Sequence, residues 1–386
     1  MRIVIVANTT WYVFNFRKNL IKLLQARKHE VCIIAPRDDY TDKLTQLGVE
    51  YYPIDLSQRG LNPFRELISC VRLFRLFRAI RPDVVLTFTI KCNLYTGICR
   101  RFAELQQIAN ISGLGEAFDK KGPVNYIVSF LYKFALTKSK RVFFQNDEDR
   151  QTIIRGGLLP QYLCKRIPGS GVDLDTYCPA LSFLPNNPRR FLMFGRLVPK
   201  KGYDLFMKVA EQVHAKYKHR AEFWIMGIID KSRKESKQLI QQIMLLQERG
   251  VIKYISPRND VVPVLQMVDV VVLPSQYNEG VPRTLLEAMA CGKPIITTDW
   301  KGCKDTVDHG VNGYLVNVGD CRTLERYIIE LINAPHDQLE KMGMASRKKA
   351  EKQFDERIVL RAYLNEISEV EECIREEVWY KCDKRS

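Results

Sequence analysis

The chain has 386 residues, of which 46% are hydrophobic and 27% charged, a balance typical of globular proteins and unlike that of disordered or fibrous ones. A chain of this length is too long to fold around a single hydrophobic core, so we expect two domains. Apolar runs such as Ile3–Ala7 and Val270–Pro274 fall far short of the roughly 20 residues that span a bilayer. The first residues are also too briefly apolar for a signal peptide, so we expect a cytoplasmic protein.

The net charge of +16 at pH 7 comes from 60 Lys and Arg against 44 Asp and Glu and predicts affinity for anions. Nucleic acid, an anionic membrane face and phosphorylated small molecules all satisfy it, and charge alone does not choose among them. The eleven cysteines form no C-x-x-C pair, and the five histidines form no H-x-x-x-H or H-E-x-x-H motif. We therefore expect reduced thiols, no zinc or disulfide framework and no metal catalysis through imidazole.

The first half of the chain alternates short apolar runs with helical stretches. The run Arg2–Ala7 stops at a polar loop of Asn8, Thr9 and Thr10, a periodic helix is predicted over Phe16–Arg27, and a second run follows at Glu30–Pro36. Further runs of the same kind are Asp83–Phe88, Gln107–Ile111 and Arg141–Phe144. Strand, helix, strand at this spacing predicts a parallel sheet that is buried on both faces.

The pattern restarts after a proline-rich linker that contains Pro179, Pro185 and Pro188. The alternating runs and helical stretches are then Arg190–Phe194, Tyr203–Tyr217, Glu222–Met226, Lys237–Arg249, Val251–Ile255, Val262–Met267, Asp269–Leu273, Thr284–Ala290 and Pro294–Thr297. Two such units predict an α/β protein of two doubly wound, Rossmann-like domains that face a central cleft. We place these domains at residues 1–180 and 181–355, and we expect a final helix within residues 356–386 to pack back on the first domain.

The most informative segment holds two glutamates, Glu279 and Glu287, eight positions apart. Pro282 has a fixed φ that favours the first turn of a helix, so we expect Glu279 in a loop and Glu287 within the helix. The free backbone N–H groups near this helix start belong to Gly280, Val281, Arg283 and Thr284, since Pro282 has none. Such amides form an anion site, and the two carboxylates can accept hydrogen bonds from two sets of hydroxyls, as a sugar and a ribose flanking a diphosphate would present. The alternative is a loop with solvated glutamates.

A second constellation runs from Gly195 to Gly202, directly after the first strand of the second domain. Arg196 and Lys201 leave the carboxyl end of this strand in a glycine-flanked loop, where two cations can neutralise a diphosphate without a metal. A solvated basic turn explains the same residues equally well, and Lys200 fits that explanation better than Lys201 does.

These motifs resemble the donor-site signature of family-4 glycosyltransferases, which have the GT-B fold. Arg196 and Lys201 stand in GRLVPKKG, and Glu279 and Glu287 stand in EGVPRTLLEAMACGKPII. The similarity continues through Asp299–Val307 and Gly310–Val316. In the first half, Phe88–Asn93, Asn110–Gly115 and Phe144–Asn146 resemble bacterial members that add N-acetylhexosamine to undecaprenyl-diphosphate-linked sugars.

The resemblance implies a retaining, metal-independent transfer from a UDP-sugar to a polyprenyl-diphosphate-linked saccharide in the assembly of a bacterial glycan. It implies Arg196 and Lys201 on the donor diphosphate, Glu279 near the transferred sugar and Glu287 on the ribose hydroxyls. Gly195, Gly280, Val281, Pro282 and Thr284 belong to the same donor site, and Arg258, in the loop after Val251–Ile255, is expected near the base. Many members carry a glycine pair in the first loop, where this chain has Ala7–Trp11.

For the acceptor we expect Asn15, Arg17 and Lys91 to face the cleft from the first domain, because an acceptor diphosphate needs cations. Glu116 follows two glycines in a region where some relatives place a histidine near the reacting centre, and it is a candidate for catalysis or acceptor binding. Exposed loop or first-turn side chains remain the alternative for Arg17 and Glu116.

The stretch Phe64–Arg81 predicts a cationic amphipathic helix, with Arg72, Arg75, Arg78 and Arg81 at every third position and Val71, Leu73, Phe74, Leu76 and Phe77 between them. Such a helix can lie at an anionic membrane, and Phe130–Arg141 repeats the pattern. We therefore expect peripheral association with the inner face of the cell membrane, although an amphipathic helix packed on the sheet would have the same apolar face.

Three hypotheses follow. The first is a transferase that acts on lipid-linked glycans. The second is a GT-B enzyme with a soluble acceptor, or a sugar-nucleotide epimerase. The third, a nucleic-acid-binding protein, has only the net charge in its favour, because no recognised binding motif accompanies it. We therefore expect no nucleic-acid partner.

Overall fold

A computed structural model describes residues 1–56, 63–115, 118, 122–180, 187–229 and 234–383. The chain divides into two compact units. Unit 1 comprises Met1–Ile167 and Val359–Ser386, and unit 2 comprises Pro168–Ile358. The first division therefore precedes the predicted boundary at residue 180, and the second lies just after the predicted boundary at residue 355.

Unit 1 is built on a seven-stranded sheet in which every pairing is parallel. Its strands are β1 Arg2–Val6, β2 Glu30–Ala35, β3 Glu50–Pro53, β4 Val84–Phe88, β5 Gln106–Ile111, β6 Arg141–Phe144 and β7 Cys164–Arg166. The order is β3-β2-β1-β4-β5-β6-β7, so the winding reverses between β1 and β4, the point at which open α/β sheets bind ligands. The central strands are buried along almost their whole length because helices cover both faces.

The helices that alternate with these strands are α1 Thr10–Ala26, α2 Thr41–Thr45, α3 Pro63–Ile80, α4 Ile90–Cys99, α5 Pro123–Leu136 and α6 Asp147–Arg155. The first helix begins at Thr10, whereas the periodicity predicts a start at Phe16. The difference has a local cause: Thr9 is the N-cap residue, and its hydroxyl oxygen accepts a hydrogen bond from the Tyr12 backbone N–H over 3.0 Å.

Unit 2 contains a six-stranded parallel sheet in the order β10-β9-β8-β11-β12-β13. Its strands are β8 Arg189–Arg196, β9 Ala221–Ile228, β10 Ile252–Ile255, β11 Val270–Leu273, β12 Ile295–Thr298 and β13 Gly313–Val316. Its helices are α7 Tyr203–Tyr217, α8 Lys234–Glu248, α9 Val262–Met267, α10 Arg283–Ala290, α11 Cys321–Asn333 and α12 His336–Lys349. Here the winding reverses between β8 and β11, so the loops after these two strands adjoin.

The last helix, α13 Glu356–Asp383, belongs to unit 1 from Val359 onward. Its Tyr363 is fully buried, stacks edge-on against Phe143 and accepts a hydrogen bond from the Asn110 side chain over 2.7 Å. Glu366 is also buried and pairs with Arg141 at 2.9 Å. A buried aromatic ring contributes about 2–3 kcal/mol, so this helix is an integral part of the unit 1 core.

Candidate active site

The loops after β8 and β11 are tied to each other at the carboxyl edge of the unit 2 sheet. The Gln276 backbone N–H donates to the Lys200 carbonyl over 2.8 Å. Within the β8 loop, the hydroxyl of Tyr203, at the start of α7, donates to the Gly195 carbonyl over 3.2 Å. Gly202 has a φ of +88°, and a Cβ atom there would lie 2.2 Å from the Pro274 carbonyl oxygen. A glycine is therefore required where the two loops meet, and their side chains are held at fixed positions.

Lys201 and Glu279 form an ion pair across these two loops. The Lys201 Nζ atom lies 3.2 Å from Glu279 Oε1 and donates to Oε2 over 3.4 Å. Lys201 is only 5% exposed. Glu279 Oε1 is also buried, and it has no hydrogen bond among the described residues although Lys201 Nζ is close to it. The Thr284 hydroxyl is likewise buried without a hydrogen-bond partner among the described residues, and the methyl group of the same side chain faces Gly195. Buried polar atoms in this condition are available to a ligand.

Arg196, at the end of β8, is exposed. Its guanidinium lies 5.8 Å from the ring centroid of Tyr277, and no carboxylate pairs with it among the described residues. A planar cation beside the Lys201–Glu279 pair provides the donors that a diphosphate requires.

The segment Glu279–Pro282 is supported from behind by a glycine. A Cβ atom at Gly302 would lie 1.5 Å from the Gly280 carbonyl oxygen, so the two backbones are in direct contact. Gly280 and Val281 are buried, and Pro282 is the N-cap residue of α10 rather than part of its first turn. The proline side chain has no hydrogen-bond acceptor, so Pro282 does not cap the backbone N–H groups of the first turn of α10.

Glu287 lies within α10 and is buried. Arg283, one turn earlier, contacts its Oε1 through Nε at 3.1 Å, and the Tyr177 hydroxyl forms a hydrogen bond with the same carboxylate. Burial raises the pKa of Glu287 above its ordinary value, while Arg283 and Tyr177 oppose that rise. Neither partner was proposed from the sequence; the i, i+4 spacing of Arg283 and Glu287 was a usable signal, whereas Tyr177 had none.

Arg258 is exposed in the loop after β10. This loop leaves the same carboxyl edge, but β9 separates β10 from β8, so Arg258 lies farther along the edge than Arg196 does. The sheet therefore brings Arg196, Lys201, Glu279 and the start of α10 together and leaves Arg258 towards one side.

The predicted acceptor residues of unit 1 occupy a different setting. Arg17 is 2% exposed, lies over the Phe88 ring at 4.2 Å and donates to the Tyr12 hydroxyl over 2.9 Å. Asn15 donates to the Trp11 carbonyl over 2.9 Å. Both lie in α1, since this helix starts six positions earlier than predicted, and Arg17 is consequently packed in the interior of unit 1 instead of being an exposed first-turn side chain.

Lys91, in the first turn of α4, donates to Glu66 of α3 over 2.6 Å, and the Tyr95 hydroxyl donates to the same carboxylate. Both charged side chains of this pair remain about one-fifth exposed, at 22% and 19%. Glu116 lies outside the described residues.

The start of α1 is occupied by a carboxylate of the chain itself. Asp38 accepts hydrogen bonds from the Thr10 hydroxyl and, over 3.1 Å, from the Trp11 backbone N–H. A helix start that already binds an anion has less capacity for a phosphate. This is the loop where many family-4 members carry glycines.

Two helices of unit 1 present apolar side chains to solvent. On α3 these are Phe64, Leu67, Ile68 and Val71, and on α5 they are Tyr126, Ile127, Phe130 and Phe134. This corrects the predicted helix face, because Leu73 and Phe77 are buried in the core and the exposed apolar residues lie mainly upstream of Arg72. The helix also ends at Ile80, so Arg81 is outside it.

Within the described residues, no group of three or more His, Cys, Asp or Glu side chains is arranged to hold a metal ion. Nor does any described helix have the length and apolarity needed to cross a membrane.

Each unit matches a family of known proteins. Residues 2–146 match the family described as Glycosyl transferase 4-like, and residues 181–349 match the family described as Glycosyl transferases group 1.

Among curated proteins, the chain is 27% identical to N,N'-diacetylbacillosaminyl-diphospho-undecaprenol alpha-1,3-N-acetylgalactosaminyltransferase of Campylobacter jejuni, over 94% of this chain and 97% of that protein. It is 25% identical to UDP-Gal:alpha-D-GlcNAc-diphosphoundecaprenol alpha-1,3-galactosyltransferase of Escherichia coli, over 79% of this chain and 78% of that protein.

Solved structures match the whole fold at lower identity. The structure of Anabaena Alr3699/HepE in complex with UDP and glucose has a TM-score of 0.78 at 18% identity and covers 95% of this chain and 99% of that one. Sucrose-phosphate synthase from Thermosynechococcus elongatus has a TM-score of 0.80 at 16% identity, covering 97% and 100%. With a glycosyltransferase family model over each unit and this shared fold, the chain belongs to the 4-like and group 1 glycosyltransferases and is an enzyme of the GT-B fold.

Proposed function

We propose that this glycosyltransferase moves an N-acetylhexosamine residue from a UDP-sugar to a saccharide linked to polyprenyl diphosphate, as a step in the assembly of a bacterial glycan such as O-antigen, capsule or glycoprotein. The observation that carries the proposal is the grouping of Arg196, Lys201 and Glu279 at the switch point of the unit 2 sheet. The acceptor class is supported by two relatives, which match most of the chain and whose names specify diphosphoundecaprenol-linked acceptors.

In the proposed reaction, Arg196 and Lys201 bind the diphosphate, which gains negative charge as UDP leaves. The bond between the anomeric carbon and the β-phosphate oxygen breaks while the acceptor hydroxyl bonds to the same face of that carbon, so the anomeric configuration is retained. The hydroxyl proton passes to an oxygen of the departing phosphate. Glu279 binds hydroxyls of the transferred sugar, and its salt bridge with Lys201 sets the relative positions of sugar and phosphate.

The donor and acceptor classes can be tested together. Nucleotide release is measured for UDP- and GDP-sugars with defined polyprenyl-diphosphate-linked saccharides and with soluble sugars, and the linkage is read by NMR. We expect UDP release only with a lipid-linked acceptor, and an α-linked product from an α-linked donor. If every lipid-linked acceptor failed while a soluble sugar was glycosylated, a soluble-acceptor enzyme would replace this proposal. An inverted product would contradict retention.

We also propose that the transfer needs no divalent metal, because two cations, Arg196 and Lys201, lie where the diphosphate charge is expected. Turnover in excess EDTA should match turnover with Mg²⁺ or Mn²⁺. Strict dependence on an added metal would contradict this part of the proposal.

Peripheral contact with an anionic membrane completes the proposal. On α3 and α5, Phe64 is 77% exposed and Phe130 is 65% exposed, and exposed basic side chains such as Arg75 and Lys133 lie on the same helices. Apolar side chains that enter the interface and cations that face the lipid phosphates are the two components of peripheral binding. This surface belongs to the unit in which we expect the lipid-linked acceptor to bind.

The test is flotation with vesicles that contain phosphatidylglycerol, compared with vesicles of phosphatidylcholine alone. A variant with Phe64→Ser, Leu67→Ser and Phe130→Ser should bind the anionic vesicles about tenfold more weakly or worse. Leu245→Ser is the matched control, because Leu245 is an exposed apolar residue on α8 in unit 2. Equal binding by the triple variant and the wild type would rule out this surface.

A further inference from the structure

We propose that Tyr177 and Arg283 are positioning residues, which hold the Glu287 carboxylate in the orientation that accepts hydrogen bonds from the ribose hydroxyls of the donor nucleotide. The inference rests on the proposed function, which places the nucleotide of the donor at Glu287. It goes further by assigning roles to two residues that approach Glu287 from different segments of unit 2.

The three side chains form a closed network. The Arg283 Nε atom contacts Glu287 Oε1 at 3.1 Å, and its guanidinium lies over the Tyr177 ring at 5.7 Å from the centroid. The Tyr177 hydroxyl donates to Glu287 and accepts from Arg283. The Arg283 and Glu287 side chains are only 16% and 12% exposed. The contacts from Arg283 and from the Tyr177 hydroxyl together restrict the rotation of the Glu287 carboxylate.

The segment that carries Tyr177 is itself fastened to α10. Arg347 of α12 donates to the Tyr177 carbonyl over 2.8 Å and to the Ala290 carbonyl, at the end of α10, also over 2.8 Å. It further donates to the Leu174 carbonyl over 3.3 Å and to Glu351 over 2.6 Å. The Arg347 guanidinium thus joins the backbone of Tyr177 to the helix that contains Glu287. We infer that this link fixes the distance between the Tyr177 hydroxyl and the Glu287 carboxylate.

The network also favours the ionised form of the carboxylate, which is the form that the ribose requires. Ribose hydroxyls donate to an ionised carboxylate, whereas a protonated acid loses acceptor capacity. Burial raises the pKa of Glu287, and the Arg283 charge and the Tyr177 hydrogen bond lower it. Glu287 also interacts electrostatically with Cys291, which follows α10 and has Lys293, Cys178 and Arg347 around it among the described residues. Removal of the Tyr177 hydroxyl should therefore raise the pKa of Glu287 further, so that nucleotide binding is lost at a higher pH as the solution is acidified.

The decisive measurement is a thermodynamic cycle between protein and ligand. Calorimetry gives the dissociation constants of UDP and of 2′-deoxy- and 3′-deoxy-UDP for the wild type, Tyr177→Phe and Glu287→Gln. We expect Tyr177→Phe to weaken UDP about tenfold but to weaken at least one deoxynucleotide much less, because the hydroxyl that Glu287 binds is then already missing. We also expect the acid limb of UDP binding to move to higher pH in Tyr177→Phe. Equal weakening of all three nucleotides, with an unmoved pH profile, would overturn the positioning role.

Three further comparisons make the result specific. Tyr314→Phe is the matched control, because Tyr314 also donates to a glutamate, Glu330, in unit 2, and it should bind all nucleotides as the wild type does. Arg283→Gln should repeat the selective loss and Arg283→Lys should restore part of it, which gives a second variant should Tyr177→Phe fail to fold. If the wild type bound neither UDP nor GDP, the proposed function would fail. If the wild type bound UDP, but the effects of Tyr177→Phe and of removing a ribose hydroxyl on the binding free energy simply added, only this inference would fail.

Discussion

The carboxyl edges of the two sheets hold their cations differently. In unit 2, Arg196 is exposed at the end of β8, and Lys201 forms its ion pair beside buried polar atoms that have no hydrogen-bond partner among the described residues. In unit 1, Arg17 is packed against Phe88, Lys91 pairs with Glu66, and Asp38 occupies the start of α1. The unit 2 edge keeps the Arg196 guanidinium available for a ligand, whereas Arg17 and Lys91 of unit 1 are packed or paired within the protein, as Lys201 also is.

This difference shows that a cation near a switch point is not by itself a ligand group. A guanidinium that is buried against aromatic rings contributes packing and cation–π energy, and moving it towards a phosphate would cost both. An exposed guanidinium incurs no such cost. The predictions below test the comparison, beginning with the largest expected effect.

The double variant Arg196→Ala, Lys201→Ala should lose most of its turnover. Removal of one donor to a developing charge costs about 2–4 kcal/mol of transition-state stabilisation, or roughly thirtyfold to a thousandfold in kcat. The measurement is kcat at saturating donor. Lys200→Ala is the control, because Lys200 is the exposed neighbour of Lys201 and should leave kcat nearly unchanged. Near-normal turnover of the double variant would remove the distinction between the two edges.

Gly302→Ala should displace the loop that contains Glu279 and Gly280. The new Cβ atom would overlap the Gly280 carbonyl oxygen, and the φ of +77° is unfavourable for alanine, so we expect a loss of about 2–3 kcal/mol in the free energy of unfolding and a higher KM for the donor. Gly310→Ala is a matched control with a φ of +78° and no atom near its Cβ position; it should cost about 1 kcal/mol and leave the KM unchanged. Urea denaturation and donor titrations check both, and equal effects of the two variants would refute the contact.

Arg17→Ala should lower stability more than it impairs catalysis. Loss of a buried side chain that packs on Phe88 leaves a cavity, with an expected cost of about 2 kcal/mol. Lys22→Ala, on an exposed position of the same helix, should change stability by less than about 0.5 kcal/mol. If Arg17→Ala kept its stability but raised the acceptor KM severalfold, the acceptor role expected from the sequence would be supported instead.

The smallest effects are expected at Lys91. Since Glu66 holds this ammonium, Lys91→Ala should raise the acceptor KM and Glu66→Gln should lower it, each by only a fewfold, with stability changes near 1 kcal/mol. Opposite signs would indicate that Lys91 can leave Glu66 to bind an acceptor phosphate. Lys341→Ala, which breaks the exposed pair with Asp337 in unit 2, serves as the control. If both unit 1 variants changed KM in the same direction, Lys91 would be only a structural cation.

Much of the fold was predictable because short, continuous apolar runs that alternate with helical stretches are typical of the buried strands of a parallel sheet. The predicted and observed helix bounds agree over Tyr203–Tyr217 and Val262–Met267. Short or polar elements were missed, including β3, whose sequence EYYP has little apolar character, and β7, whose sequence is CKR. Such strands form because a neighbouring strand offers hydrogen bonds, which is not visible in their own residues.

The candidate site divides in the same way. Local rules placed Glu279 in a loop and Glu287 in a helix, and α10 does start close to Pro282, although this proline is the N-cap residue and not part of the first turn. The partners of these carboxylates are only partly local: Arg283 is four positions from Glu287, whereas Lys201 and Glu279 are 78 positions apart. Strand order and helix packing determine such pairs, and periodicity carries no information about them.

By itself, therefore, the amino-acid sequence determined two successive sets of buried parallel strands and the positions of the donor-site motifs at strand ends, because both follow from apolar patterning and local backbone preferences. Only the tertiary structure decided which charges are kept available, as at Arg196, and which are consumed internally, as at Arg17. The reason is physical: the environment of a charge is set by the side chains that surround it, and these come from elements that only folding brings together.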